Sequence, residues 1–410
     1  MRVIPPPNPL PEPYASLRDT VTRLFSSRIV PEIGGYEARG EFPRPLVRAM
    51  GEAGLFGAAF PESVGGSDIG FMAVAVISEE ISRIRPDLGY CMNLQAMTCP
   101  FTILNWGTEE QVTRFVPPVI AGERIGMFAL TEPGGGSDPA GAMRTTARRD
   151  GDRYVLDGSK QWITFSHEAD VGVLFAKTDP SAGHKGITAF IVEPKSGPGY
   201  RADKIRMRNL SPVLSSCAVF LDGFSVPATN RLGAEGEGFR IAMNALEYGR
   251  LTVSSRLVGA AQGCLDHALD YARTREVGGR AIGRYQLVQG LVADMAAEIA
   301  AARALVRELA ETMDAGLPAN RIASLAKYFA SRAAKTAVAN ATEIFGGYAL
   351  ADEYPISMFK GFIEMLNVGE GSTNVQKVLI AEDALGFKDA NRASVPARKF
   401  RAASGSRAAE

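Results

Sequence analysis

What most limits the fold of this 410-residue chain is that its hydrophobic period changes twice. Up to about residue 124 apolar side chains recur at helical spacing. Leu17, Val21, Leu24 and Phe25 share one face, and Val74, Ile77, Ile81 and Ile84 share another. Pro43 is placed to open a helix that turns Leu46, Val47 and Met50 inward. Thr108-Glu-Glu-Gln111 reads as a capping box ahead of a further helix. From Ile125 to Pro227 the runs shorten to strand length, as in Arg153–Gly158, Val171–Lys177, Ile187–Glu193 and Ala218–Gly223. Asp150-Gly151 is a hairpin signal among them. From Gly238 the helical period returns in four long pieces: Phe239 to about Arg273, Leu287 to Met313, Ile322 to Phe345, and Asn374 to Leu385.

The expected class is α+β and mainly α: an N-terminal helical domain, a small antiparallel β-barrel domain and a C-terminal four-helix bundle. The boundaries read as a proline-rich extended segment over 1–13, helices over 14–124, strands over 125–235 and the bundle over 236–388. Residues 389–410, basic and rich in small side chains, read as a disordered tail.

Composition narrows the function. Lys+Arg and Asp+Glu both total 45, so net charge is zero and nothing points to nucleic acid or an anionic membrane surface. The longest apolar runs, such as Phe71–Ile77, are too short to span a bilayer. The start, Met-Arg-Val-Ile-Pro-Pro-Pro, lacks the apolar core of a secretory signal. Cys91, Cys99, Cys217 and Cys264 are scattered and read as reduced core thiols of a cytoplasmic protein. His167, His184 and His267 are not at metal-ligand spacing, so no metal is expected, and no GxSxG elbow supports a hydrolase.

Two stretches carry chemistry. Met127–Asp138 starts apolar, breaks at Pro133 and passes three glycines to Ser137. Such a stretch lets backbone approach a ligand and leaves N–H groups free for anions, although alone it reads equally as a turn. Glu370 lies between two glycines just before a helix that would begin near Ser372. Alone, it could be an exposed acid favouring a helix N-terminus.

In order, six motifs resemble those of the acyl-CoA dehydrogenase family. They are Ala129–Asp138, Asp157-Gly-Ser-Lys-Gln-Trp-Ile-Thr164, Val226–Gly233, Tyr271–Arg275 with Gly279 and Gln286, Ile344-Phe-Gly-Gly347, and Gly369-Glu-Gly-Ser-Thr-Asn-Val-Gln376. They span about residues 15–387. The resemblance implies an FAD enzyme that removes a Cα proton from an acyl-CoA thioester while hydride leaves Cβ for flavin N5, giving the trans-2-enoyl thioester. It implies Glu370 as the base. Its backbone N–H, with a flavin hydroxyl, would bind the thioester carbonyl. In a minority of the family the base sits on the first bundle helix; the matching position here is Gly249, so the usual arrangement is implied.

By the same resemblance Phe128, Leu130, Thr131, Gly136 and Ser137 contact flavin, Ser137 lying also near substrate. Trp162 and Thr164 shield the flavin's outer face. Glu247, Arg250 and Gly371 would contact substrate. Arg275 and Gln286 would reach the FAD of a neighbouring subunit, and Glu343, Gly346, Gly347, Ser372 and Asn374 match adenosine-side contacts of the cofactor. A homotetramer and an electron-transfer flavoprotein as acceptor are implied. Departures from the family pattern are Phe165, Val277-Gly278, Glu343 and Gly369; the last removes bulk beside the base and suggests a roomier acyl pocket. Alternatives within the fold are a dehydrogenase for carrier-tethered acyl groups and a flavin oxidase. Outside enzymes, a non-catalytic binder using the basic tail is disfavoured by the zero net charge and by Glu370.

Overall fold

The computed structural model describes residues 10–207, 211, 215–391 and 394–399. The helices of the first part are Tyr14–Leu24, Val30–Arg39, Arg44–Glu52, Phe71–Ile84, Pro100–Trp106 and Glu109–Ile120, with a π-helical turn at Met92–Thr98. The capping box forms as read: Gln111 N donates to Thr108 Oγ1 at 3.2 Å and Thr108 N to Gln111 Oε1 at 3.1 Å. Phe71–Ile84 is buried almost all round, because it lies against the 37-residue helix Gly238–Thr274. The two approach at Gly259 and Gly263, where a β-carbon would stand 2.1 Å from Glu79 O and 2.6 Å from Arg83 O. One hydrophobic core therefore joins the first helices to the last ones.

The strands are β1 Gly126–Ala129, β2 Thr146–Asp150, β3 Arg153–Thr164, β4 Val171–Lys177, β5 Ile187–Val192, β6 Tyr200–Lys204, β7 Ser216–Pro227 and β8 Arg231–Leu232. The Asp150-Gly151 signal is the β2–β3 hairpin, with Gly151 at φ +62°. Two expectations need correction. The sheet is mixed, since β4 pairs in parallel with both β1 and β2. All seven β4 residues are buried, as a strand covered on both faces requires. The strands also follow an open path, β6-β7-β3-β2-β4-β5-β8, with no pairing between its ends among the described residues.

The last part holds Gly238–Thr274, Gln286–Asp314, Asn320–Phe345, Ile356–Val368 and Thr373–Ala384. The bundle expected from four periodic runs thus gains Ile356–Val368, which buries Ile356, Phe359, Phe362, Ile363 and Leu366. The expected disordered tail is corrected over 394–399. Val395 and Ala397 are buried, Asn244 Nδ2 donates to Val395 O at 2.9 Å, and Arg398 Nη1 donates to Gly107 O at 3.1 Å. Two small apolar side chains supply the burial that a reading of composition misses. Residues 1–9, 392–393 and 400–410, which belong to the expected extended N-terminal segment and disordered tail, lie outside the described residues. Deleting residues 389–410 is expected to lower stability by ~2–4 kcal/mol through these losses, read as a shifted urea midpoint. An unchanged midpoint would contradict this docking.

Candidate active site

The loop after β1, the end of β3, the helix Gly238–Thr274 and the turn before Thr373–Ala384 enclose a cavity of about 770 Å³. Glu370 lies in that turn. Its backbone is left-handed at φ +56°, and Gly371 follows at φ +86°. A β-carbon at 371 would stand 2.6 Å from Gln376 Nε2, so the turn requires glycine there. The turn sets the Glu370 carboxylate against Gly249, where a β-carbon would come 2.8 Å from Oε2. A left-handed non-glycine residue in such a place costs on the order of 1 kcal/mol and is a feature of functional sites.

Glu370 Oε1 accepts from Asn93 Nδ2 at 2.9 Å, and Thr252 Oγ1 donates to Asn93 Oδ1 at 2.8 Å. Thr252 Oγ1 is also 2.8 Å from Gly249 O, so it is the Glu370 carboxylate, which can only accept, that sets which way the amide points. Oε2 is buried and without a hydrogen-bond partner among the described residues. Burial raises the Glu370 pKa above its ordinary value; Asn93, Arg250, Arg256 and Lys327 offset part of that rise. Lys327 is itself pushed down to about 7, by burial first and then by Arg250. A carboxylate with raised basicity and one free oxygen in a cavity is suited to take a proton.

The sign of the Asn93 contribution gives a test. A general base works as a carboxylate, so a rate that depends on Glu370 in that role is expected to fall as pH drops through its pKa. Asn93 donates to the ionised form. Asn93→Ala is therefore expected to move the acid limb of the kcat profile to higher pH, and to lower the rate about tenfold below that limb. A limb that stays in place would deny Asn93 this role.

At the other end of the cavity stand Phe128, Leu130, Thr131, Gly136 and Ser137 from the β1 loop, and Trp162 and Thr164 from β3. The β3–β7 register jumps from Lys160↔Val219 to Ile163↔Cys217, a bulge in which Trp162 takes φ +62°. Lys160, just before the bulge, faces the interior and is 0% exposed, and Trp162 within the bulge stands on the cavity wall, 55% exposed. Beneath the loop, Lys160 Nζ meets Glu132 Oε1 at 2.8 Å, and Gln161 N donates to Thr131 O at 2.9 Å.

Of the other residues singled out in sequence, Arg250, Gly371 and Ser372 line the cavity. Glu247 does not. It is buried with its carboxylate bonded to Ala319 N and Ser394 Oγ, so it holds the tail rather than facing substrate. Asn374 is exposed off the wall. Arg275, Gln286, Glu343, Gly346 and Gly347 are exposed and away from this cavity, Arg275 standing 5.5 Å from the Tyr348 ring centre. Asn93, Tyr90 and Val253 on the wall were missed by sequence reasoning. They sit in continuous buried helical stretches, and no local pattern marks them. Gly369 also lines the cavity, and a β-carbon there would meet nothing closer than Met365 O at 3.6 Å. The missing side chain is thus open space.

Residues 11–123, 127–222 and 236–385 match the N-terminal, middle and C-terminal domains of acyl-CoA dehydrogenase. The chain is 37% identical over 380 residues to the glutaryl-CoA dehydrogenase of Desulfococcus multivorans, covering 92% of this chain and 97% of that one. It is 37% identical over 365 residues to the caffeyl-CoA reductase-Etf complex subunit CarC of Acetobacterium woodii, covering 89% and 95%. A solved glutaryl-coenzyme A dehydrogenase in complex with glutaryl-CoA superposes with a TM-score of 0.90 at 36% identity, covering 94% and 98%. The protein belongs to the acyl-CoA dehydrogenase family, and is an oxidoreductase with FAD as its cofactor.

The site fits that cofactor. A tryptophan left 55% exposed on a cavity wall offers a face that a planar ring would cover. The exposed backbone at Gly136 and Ser137 leaves room for close approach. Among the described residues no group of three His, Cys, Asp or Glu could hold a metal ion, and no helix is long and apolar enough to cross a membrane.

Proposed function

We propose that the protein dehydrogenates an acyl-CoA thioester to the trans-2-enoyl-CoA, with Glu370 removing the Cα proton. The observation that carries this is Glu370 Oε2, buried and unpartnered, in the same cavity as Trp162 and Thr131. The proton passes to Oε2, while Oε1 stays bonded to Asn93. The Glu370 N–H takes the thioester carbonyl and so favours the developing enolate. FAD, when bound, accepts the hydride leaving Cβ. Thr131, Ser137, Trp162 and Thr164 hold the flavin ring and exclude water from its outer face. The open space at Gly369 suits a bulky or substituted acyl group.

The exposed Glu343, Gly346 and Gly347 serve the adenosine side of the cofactor, and the exposed Arg275 and Gln286 serve the FAD of a second subunit, in a homotetramer built as a dimer of dimers. Arg275 offsets pyrophosphate charge there. An electron-transfer flavoprotein reoxidises the flavin, in keeping with the Etf complex of the Acetobacterium relative. The three-part division at about residues 125 and 236 belongs to the same reading. All four cysteines are free and buried, which supports a reducing, cytoplasmic setting. The test is anaerobic bleaching of the flavin band by a panel of acyl-CoAs. No bleaching by any of them would remove this function, and fast reoxidation by oxygen would replace it with that of an oxidase.

A further inference from the structure

Arg256, on the helix Gly238–Thr274, is fully buried. Three other buried or nearly buried arginines are ion-paired, Arg83 with Glu80 and Asp266, Arg85 with Glu37 and Asp87, and Arg303 with Glu79, while Arg250 on the cavity wall is buried with Asn320 Oδ1 as its one hydrogen-bond partner among the described residues. The Arg256 Nε, Nη1 and Nη2 atoms are buried and meet no acceptor in good hydrogen-bond geometry among the described residues; the groups that favour its charge are the Tyr90 side chain first and then Glu370. The guanidinium carbon stands 3.9 Å from the Tyr90 ring centre and 5.2 Å from that of Phe362. Cation–π contacts offset part of the cost of taking an unpaired cation out of water, but that cost is larger, and an apolar side chain would pack there without it.

Its position shows what the charge serves. Val253, one turn earlier on the same helix, lines the cavity that holds Glu370, and so do Tyr90 and Leu366. Phe362 is one turn before Leu366. Arg256 thus stands directly behind the Tyr90 wall, close enough for its charge to favour the Glu370 carboxylate. Gly89 makes the room, since a β-carbon there would come 3.0 Å from Arg256 Nε. Beside the base the acyl chamber is therefore backed by one phenol ring and, behind it, a cation that feels the Glu370 charge but has no carboxylate in contact among the described residues.

We infer that Tyr90 and Arg256 form an anion-binding end to the acyl chamber, so that the preferred substrate is a CoA monothioester of a short dicarboxylic acid. This rests on the acyl-CoA dehydrogenase reading of the cavity. A rotation of the Tyr90 side chain, of the kind that commonly accompanies binding, opens the guanidinium to the free carboxylate. Its paired N–H groups then hold both oxygens. A purely alkyl acyl group leaves the cation unpaired, and discrimination runs in favour of the acid.

The test compares glutaryl-CoA with valeryl-CoA, equal in acyl carbon number, by anaerobic flavin bleaching and steady-state kcat/KM on the holoenzyme. Wild type is expected to prefer glutaryl-CoA at least tenfold. Arg256→Met is expected to lower the glutaryl:valeryl ratio roughly 100-fold, the worth of one charge pair taken from a dry site, and Arg256→Lys to keep part of it. If Arg256→Met does not fold, the wild-type ratio and the Lys variant decide. A wild-type preference for valeryl-CoA, or a ratio unmoved by substitution, overturns the inference while leaving the dehydrogenase reading intact. No bleaching by either ester, or by any other acyl-CoA, overturns both.

Discussion

Glu370→Gln is expected to slow anaerobic flavin reduction by acyl-CoA by ~10²–10⁴-fold, the range for loss of a positioned general base. Gln is close in shape, and its Oε1 can still accept from Asn93 Nδ2 as the carboxylate does at 2.9 Å. The left-handed turn at 370–371 and the close approach to Gly249 need not change. What is lost is the oxygen proposed to take the proton, Oε2, buried and without a partner among the described residues. The same substitution removes a carboxyl whose charged form burial opposes, so folding stability is expected to hold or rise. Activity falling while the flavin spectrum and the melting midpoint persist would separate a catalytic loss from a structural one. A variant that bleached within threefold of wild type would take Glu370 out of the reaction.

Much of this was legible in the chain, for physical reasons that also show where legibility ends. The capping box at Thr108, the hairpin at Gly151 and the long helix from Gly238 are local, and each is built as its sequence states. Glu370 and Trp162 stood out because glycines flank the one and a resemblance frames the other. Asn93 could not be found that way. It lies 277 residues from Glu370, inside a π-helical turn of buried side chains, and only packing brings the two together. Arg256 is a similar case: by pattern it is one more charge on a helix, and its lack of an acid appears only once its neighbours are known. Glu247 failed in the opposite direction. It sits at a position where the resemblance expects a substrate contact, yet residue 394 and the backbone of 319 claim its carboxylate. The barrel and the four-helix count were inferred from the number of periodic runs. Run counting cannot see a parallel pairing such as β1 with β4, nor the thirteen-residue helix that ends just before Gly369.

Lys160→Met is expected to cost about 3–5 kcal/mol of stability, the usual result of removing one member of a buried ion pair. Lys160 is 0% exposed and Glu132 4%, with Nζ to Oε1 at 2.8 Å. Burial pushes the Lys160 ammonium down to about 8, with Glu132 opposing that shift. Burial also works against the Glu132 carboxylate, but Lys160, Thr145 and the Arg144 N–H outweigh it and hold its pKa below the ordinary value. The pair is therefore ionised near neutral pH. Losing the cation leaves a buried carboxylate with the N–H groups of Arg144 and Thr145, at 2.5 and 3.1 Å. The damage should spread to the cofactor. Lys160 Nζ also reaches Leu130 O at 3.4 Å, and the neighbouring Gln161 N–H holds Thr131 O. Both loop residues line the cavity, at positions proposed to hold the flavin. Flavin content after dilution is thus expected to fall along with the urea midpoint. The double change Lys160→Met with Glu132→Gln discriminates the cause. It leaves no charge unpaired, so it should recover part of the midpoint while the loop, still without its lysine, remains poor at retaining flavin. If the double variant is no more stable than the single one, the loss came from packing around the Lys160 stem and not from the stranded Glu132 charge.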